Sequence, residues 1–225
     1  MLWGLLLVLT SLEIPVHNGI RISVEVDSAG DRFQFPSILL PAVNDAGAGG
    51  IWRLVAGGAD RNSGRLSCLS DGLVPSGSDD PRGNFFLAAG SIDGLIAMDL
   101  QRPLPIAEVV SYSWHTAARA PQVYTLYGAT GDESGFTFPE STADLRGLTG
   151  WTQIAVVDSR QPGTQGGQHA VRLAGENGLL GDFRHLLFHV RSADPGDRFG
   201  QTFFSEIDVV TGNPAELRRV ELPAV

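Results

Sequence analysis

The residues from Val109 to Gly128, VVSYSWHTAARAPQVYTLYG, bring four chemistry-bearing side chains to one joint. Two runs, Val109 to Trp114 and Gln122 to Tyr127, have the composition of strands. Trp114, His115, Arg119 and Gln122 stand at the short basic loop between them. An indole offers an apolar face, and imidazole, guanidinium and carboxamide groups offer hydrogen bonds around it, which is the mixture small-molecule sites use. Two readings follow. Either the four converge on a ligand, or Trp114 completes a core at the strand end and Arg119 pairs with an acid.

Other reactive side chains give weaker patterns. The single cysteine, Cys68, excludes an intrachain disulfide framework. It lies between apolar neighbours in RLSCLSDG with no histidine nearby, so it reads as an inert buried thiol rather than an activated nucleophile. RHLLFHV, read as a strand, places His185, Leu187 and His189 on one face and Leu186, Phe188 and Val190 on the other. The second set is the better core face. The two histidines then stand on the solvent side, roughly 13 Å apart by strand rise, too far to share a zinc ion. The sequence holds no G-x-S-x-G, H-E-x-x-H, P-loop or dinucleotide turn. Asp and Glu are plentiful, but the carboxylate pairing that glycoside hydrolysis needs is not a sequence pattern.

The elements that must position these residues are short. After a first strand, IRISVEV (Ile20 to Val26), the chain reads as a series of candidate strands: Phe85 to Ala88, Gly94 to Leu100, Ala107 to Trp114, Gln122 to Tyr127, Thr152 to Asp158, His169 to Leu173, His185 to Arg191 and Phe203 to Val210. IWRLVAGG is a short strand or a turn of helix, and STADLRGL is one helical turn or two. The 28 glycines and 13 prolines exceed average usage and separate these runs. An all-β sandwich or jelly roll follows. The net charge is −9, every basic residue is an arginine, and no basic stripe is present. That argues against nucleic acid as a partner. MLWGLLLVLTSL is apolar from Leu2 to Leu9, too short to span a bilayer. Residues 1–12 read as a signal peptide truncated at its start, or as an N-terminal strand.

The order of segments resembles the discoidin-like (coagulation-factor type C) domains of the galactose-binding-like β-sandwich superfamily. DGLIAMDLQRPLPIAEVVSYSW is similar to that family's opening pair of strands, QVYTLYG to the next strand, GWTQIAVV to its Trp-containing strand, FRHLLFHV to its "aRYlRf" strand and FFSEIDVV to its closing "aEIeV" strand. LSDG is similar to its early Asp-Gly turn. The wording SYSWH…RAPQVYTLYG with FSEIDV also resembles versions in secreted planctomycete-type bacterial proteins. The resemblance covers about residues 66–211, leaving 13–65 as strands that pack on or extend the sandwich and 212–225 as a tail.

That resemblance implies a jelly-roll fold and, in many members, a structural calcium ion held by the early Asp-Gly loop and the closing Glu. Carried over, the ligands are Asp71, Ser76 and Glu206. The SDGLVPSGSDD loop is longer than the family's and lacks its Thr, but it is rich in the oxygen donors calcium prefers. Ligand loops in the family lie at strand ends, which directs attention to Trp114, His115, Arg119 and Gln122. The function implied is a secreted, non-catalytic module binding carbohydrate or another cell-surface ligand, without membrane insertion, placed outside the cell or in its envelope. A structural or protein-interaction domain of the envelope, and a jelly-roll enzyme acting on glycans, are the other readings.

Overall fold

The computed structural model describes residues 10–17, 19–27, 33–75, 80–161, 166–212 and 216–220. Its strands are β1 (Thr10–His17), β2 (Ile20–Asp27), β3 (Ile51–Ala56), β4 (Asp93–His115), β5 (Val123–Ala129), β6 (Thr152–Asp158), β7 (Gly167–Gly175), β8 (Gly181–Arg191) and β9 (Phe204–Thr211). β4 is 23 residues long and changes partners midway. Its first half pairs with β3 and β8, its second with β7 and β9. The β8 ladder breaks between Asp99 and Leu104, where Gln101 takes φ 66°. That left-handed conformation costs a non-glycine residue roughly 1–2 kcal/mol. It is held by Asp99 Oδ1, which accepts from Gln101 N at 2.7 Å, and by Gln101 Nε2, which donates to Gly49 O at 2.7 Å.

The bend folds one strand into two antiparallel sheets, β3–β4–β8–β5–β6 and β1–β2–β7–β4–β9. Between them lies the main core. Ile96, Met98, Leu126, Leu186, Phe188 and Val190 come from the first sheet, and Ile22, Val24, Val109, Val171, Leu173, Ile207 and Val209 from the second. Each such side chain contributes about 1.5–3 kcal/mol on burial. This is the all-β sandwich expected from the strand pattern. Leu186, Phe188 and Val190 face the core, as the alternation of RHLLFHV requires.

Two local expectations change, and two open ones resolve. The runs from Gly94 to Leu100 and from Ala107 to Trp114 are halves of one bent strand rather than two strands. Phe85 to Ala88 is not a strand: it makes only isolated bridges to Phe204 and Ala59. Phe85, Phe86 and Leu87 are all buried, so three consecutive core side chains imitate strand composition. STADLRGL forms a single 3-10 helix, Thr142–Gly147, whose start is fixed by Asp144 accepting from the backbone N–H of Glu140 and Ser141. IWRLVAGG resolves as β3. Residues 1–9 of the apolar N-terminus lie outside the described residues.

One end of the core is polar. Ser111 Oγ donates to Gln122 Oε1 at 2.5 Å and meets Tyr124 OH at 2.9 Å, and Gln122 Nε2 donates to Ser113 Oγ at 3.0 Å. His169, paired with Ser113 across β4 and β7, is fully buried, and neither ring nitrogen has a hydrogen-bond partner. Burial pushes its pKa down to about 4, against about 6.5 when unfolded. Between those values the unfolded chain binds the proton that the folded chain refuses. Stability is therefore whole above pH 6.5 and is lost as the pH falls to 4, by about 3 kcal/mol. The expected result is that wild type loses more stability than His169→Met between pH 7 and pH 4 in denaturant titrations. Parallel pH profiles for the two proteins would refute it.

Candidate functional site

The structure separates the four residues of the β4–β5 joint. Trp114 and Gln122 are fully buried and do not reach solvent. Trp114 is among the largest buried side chains in the protein, and Gln122 is consumed by the serine network. His115 and Arg119 are half-buried. Arg119 lies over Phe203 (4.0 Å) and Phe86 (4.8 Å) and donates from Nε to Gln201 O at 3.1 Å. His115 packs edge-on to Phe203 and accepts from Ala117 N at Nδ1. The joint is a built corner: strands that end in large apolar groups need arginine and histidine to seal them. Cys68 is buried, with its thiol pushed up to about 12 by burial and by the nearby Asp71 and Glu206 carboxylates, so it stays protonated.

Carboxylates converge elsewhere. Glu206 and Asp208 stand two residues apart on β9, on the face away from Ile207 and Val209, and Asp45 reaches them from the loop before β3. Donor atoms of all three lie within 4.8 Å of one another. Each carboxylate has one oxygen engaged. Asp45 Oδ1 accepts from Gly47 N and Val209 N, Glu206 Oε2 from Gly72 N, and Asp208 Oδ2 from Ala42 N and Arg219 Nη1. The other oxygens, Asp45 Oδ2, Glu206 Oε1 and Asp208 Oδ1, are buried with no partner. Burial first, and the neighbouring carboxylates second, raise Glu206 to about 10 and Asp208 to about 8; burial also raises Asp45.

This donor set fits a divalent cation. Oxygens bound at 2.3–2.6 Å to one calcium ion are at most about 5 Å apart, and one oxygen from each of the three carboxylates meets that limit. An ion would satisfy the three orphaned oxygens and remove the like-charge repulsion together. Of the ligands implied by the resemblance, Glu206 is at the centre. Asp71 is exposed and turns Oδ1 to its own loop, accepting from Leu73 N at 2.9 Å, although its carboxyl borders Glu206. Ser76 lies outside the described residues. Asp45 and Asp208 were not singled out from the sequence. The signal for Asp208 was present, since E-I-D on a strand puts both acids on one face.

A second concentration of polar and aromatic groups covers the outer face of the first sheet. Register sets it: Ile51 pairs with Asp99 and Asp99 with His185, while Arg53 pairs with Ala97. These side chains share one face, and the methyl of Ala97 leaves a depression between larger neighbours. The chain from residue 130 to 151 folds over this face. Phe138 meets the His185 ring at 5.6 Å and the Trp151 ring at 5.3 Å, and Phe136 stacks on His185 at 5.6 Å. His185 is therefore buried rather than on the solvent side, because the β5–β6 connection covers it. The result is an open pocket of about 300 Å³ lined by Ile51, Arg53, Ala97, Asp99, Phe138 and His185. Asp99 is held by Arg184 through two bonds, at 2.8 and 2.9 Å, which lowers its pKa. Burial lowers that of His185.

No family model matches the chain, and no curated protein sequence is significantly similar to it. Solved structures match part of the chain at low sequence identity. The family 32 carbohydrate-binding module of C. perfringens NanJ in complex with galactose is 8% identical, with a TM-score of 0.47 over 75% of this chain and 97% of that one. A module, CBM32-1, from a family 31 glycoside hydrolase of Clostridium perfringens is 12% identical, with a TM-score of 0.49 over 75% and 99%. Chitosan-binding module 1 of a chitosanase/glucanase from Paenibacillus sp. IK-5 is 14% identical, with a TM-score of 0.46 over 74% and 98%.

Proposed function

We propose that the chain is a secreted, non-catalytic carbohydrate-binding module whose sugar site is the pocket over β3, β4 and β8, and whose sandwich is braced by a calcium ion. The observation that carries the sugar reading is the pocket itself. Apolar walls of Ile51 and Phe138 stand over the Ala97 floor, with the Arg53 and His185 donors beside them. A pyranose presents an apolar face of C–H groups ringed by hydroxyls, and such a pocket matches both parts. Asp99 is the only carboxylate among the lining residues, and both its oxygens are engaged by Arg184. Two-carboxylate glycoside hydrolysis has no second group there. Placement outside the cell or in its envelope belongs to the same reading and rests on the resemblance of the sequence.

For calcium, Asp45, Glu206 and Asp208 would hold the ion. Its contribution is structural: it ties β9 to the loop before β3, and through Glu206 to the Gly72 turn.

Glycan-array and calorimetric binding test the site. Phe138→Ala removes one wall, and Ile51→Asp places a charge on the other. Ile51 is 59% exposed, so that second substitution leaves the fold intact. Each is expected to weaken sugar binding tenfold or more. Unchanged binding in both variants would move the site elsewhere, and wild type that binds no glycan on the array would remove the carbohydrate reading.

A further inference from the structure

The charges around the pocket are unequally committed. Asp99 is saturated by Arg184 and by Gln101 N. Arg53 is exposed, its guanidinium lies 4.3 Å over the Phe138 ring, and among the described residues no carboxylate pairs with it. Asp132, the other carboxylate acting on Arg184 and His185, is not among the lining residues. The pocket therefore offers one uncommitted cation and no uncommitted anion. Stacking on a ring fixes the plane of a guanidinium while leaving its edge N–H groups pointing outward, a geometry that suits a carboxylate. Arg53 is directed there by register: on β3 it pairs with Ala97 and shares the outer face with Ile51.

We propose that this pocket takes an acidic sugar, a single or terminal hexuronate whose carboxylate is held by Arg53 while its ring lies between Ile51 and Phe138. The inference rests on the pocket being the sugar site. Two features limit the ligand to a short one. The volume, about 300 Å³, is at the lower end of ligand pockets. The chain as a whole carries −9 and repels a long polyanion, whose distant charges gain nothing from one arginine.

The test is calorimetry on the full chain in calcium buffer. The probes are methyl glucuronide and methyl galacturonide, each against its neutral methyl glycoside, with sodium acetate as a plain anion. The expected result is at least tenfold tighter binding of one uronide than of its neutral partner. Arg53→Gln, at an exposed position, abolishes that preference: it weakens uronide binding at least tenfold more than binding of the neutral partner. Raising the salt concentration narrows the gap in wild type. Equal binding of acidic and neutral sugars, both lost in Phe138→Ala, overturns the acidic preference but leaves the sugar site standing. Competition by acetate as strong as by the uronide overturns it in favour of a simple anion site. A folded protein that binds none of the sugars overturns both readings.

Discussion

Chelating divalent cations is expected to lower the thermal midpoint of this protein, and calcium to restore it. Three buried carboxylates with an unpartnered oxygen each are costly unless neutralised; without an ion, protons must do it, as the upward shifts of Glu206 and Asp208 show. An ion that binds only the folded chain stabilises it by about 4 kcal/mol at a thousand times its Kd. For a domain of this size that is on the order of 10 °C in the midpoint. Glu206→Gln sharpens the test. With its pKa near 10, Glu206 is protonated at neutral pH when no ion is bound, and the amide resembles that state. Wild type and variant are expected to melt together in chelator, and only wild type to rise when calcium is added. Superimposed melts of wild type with calcium and with chelator would remove the ion from the account.

The sandwich was legible because strand composition and turn residues are local properties. The alternation in RHLLFHV assigned the core face of β8 correctly but not the other, which the β5–β6 connection covers, and the ordered set from DGLIAMDL to FSEIDVV pointed to the jelly roll. The sites were less legible because they are made by register and by long connections. Ala97, Arg53 and Ile51 acquire meaning only when β3 lies beside β4. Phe138 belongs to a connection with no strand signal, Trp151 stands just before β6 rather than in the strand that GWTQIAVV suggested, and nothing local says that this connection folds back over His185. Asp45 is separated from Asp208 by 163 positions in a loop read only as NDAGAGG, yet its Oδ1 accepts from Val209 N at 2.8 Å. The Trp-His-Arg-Gln joint misled for the opposite reason. Its residue types suit a ligand, but burial decides their use, and burial of Trp114 depends on segments distant in sequence.

Trp114→Ala therefore acts on stability and not first on binding. The side chain is fully buried at the end of β4, with its backbone N–H donating to Phe203 O at 3.1 Å. Removing a buried aromatic side chain costs about 3–5 kcal/mol in lost transfer energy and residual cavity. In a chain of 225 residues this lowers the midpoint by on the order of 10 °C. Trp114→Phe leaves a smaller void and recovers much of that loss. If the tryptophan were a ligand platform, the pattern would invert: Trp114→Ala would melt close to wild type and lose sugar binding, while Phe138→Ala would keep it. Measuring midpoints and glycan affinities for the three variants side by side separates the accounts. The burial of Trp114 and the exposure of the pocket predict a large midpoint shift for Trp114→Ala, a smaller one with retained affinity below the melt for Trp114→Phe, and a small shift with lost affinity for Phe138→Ala.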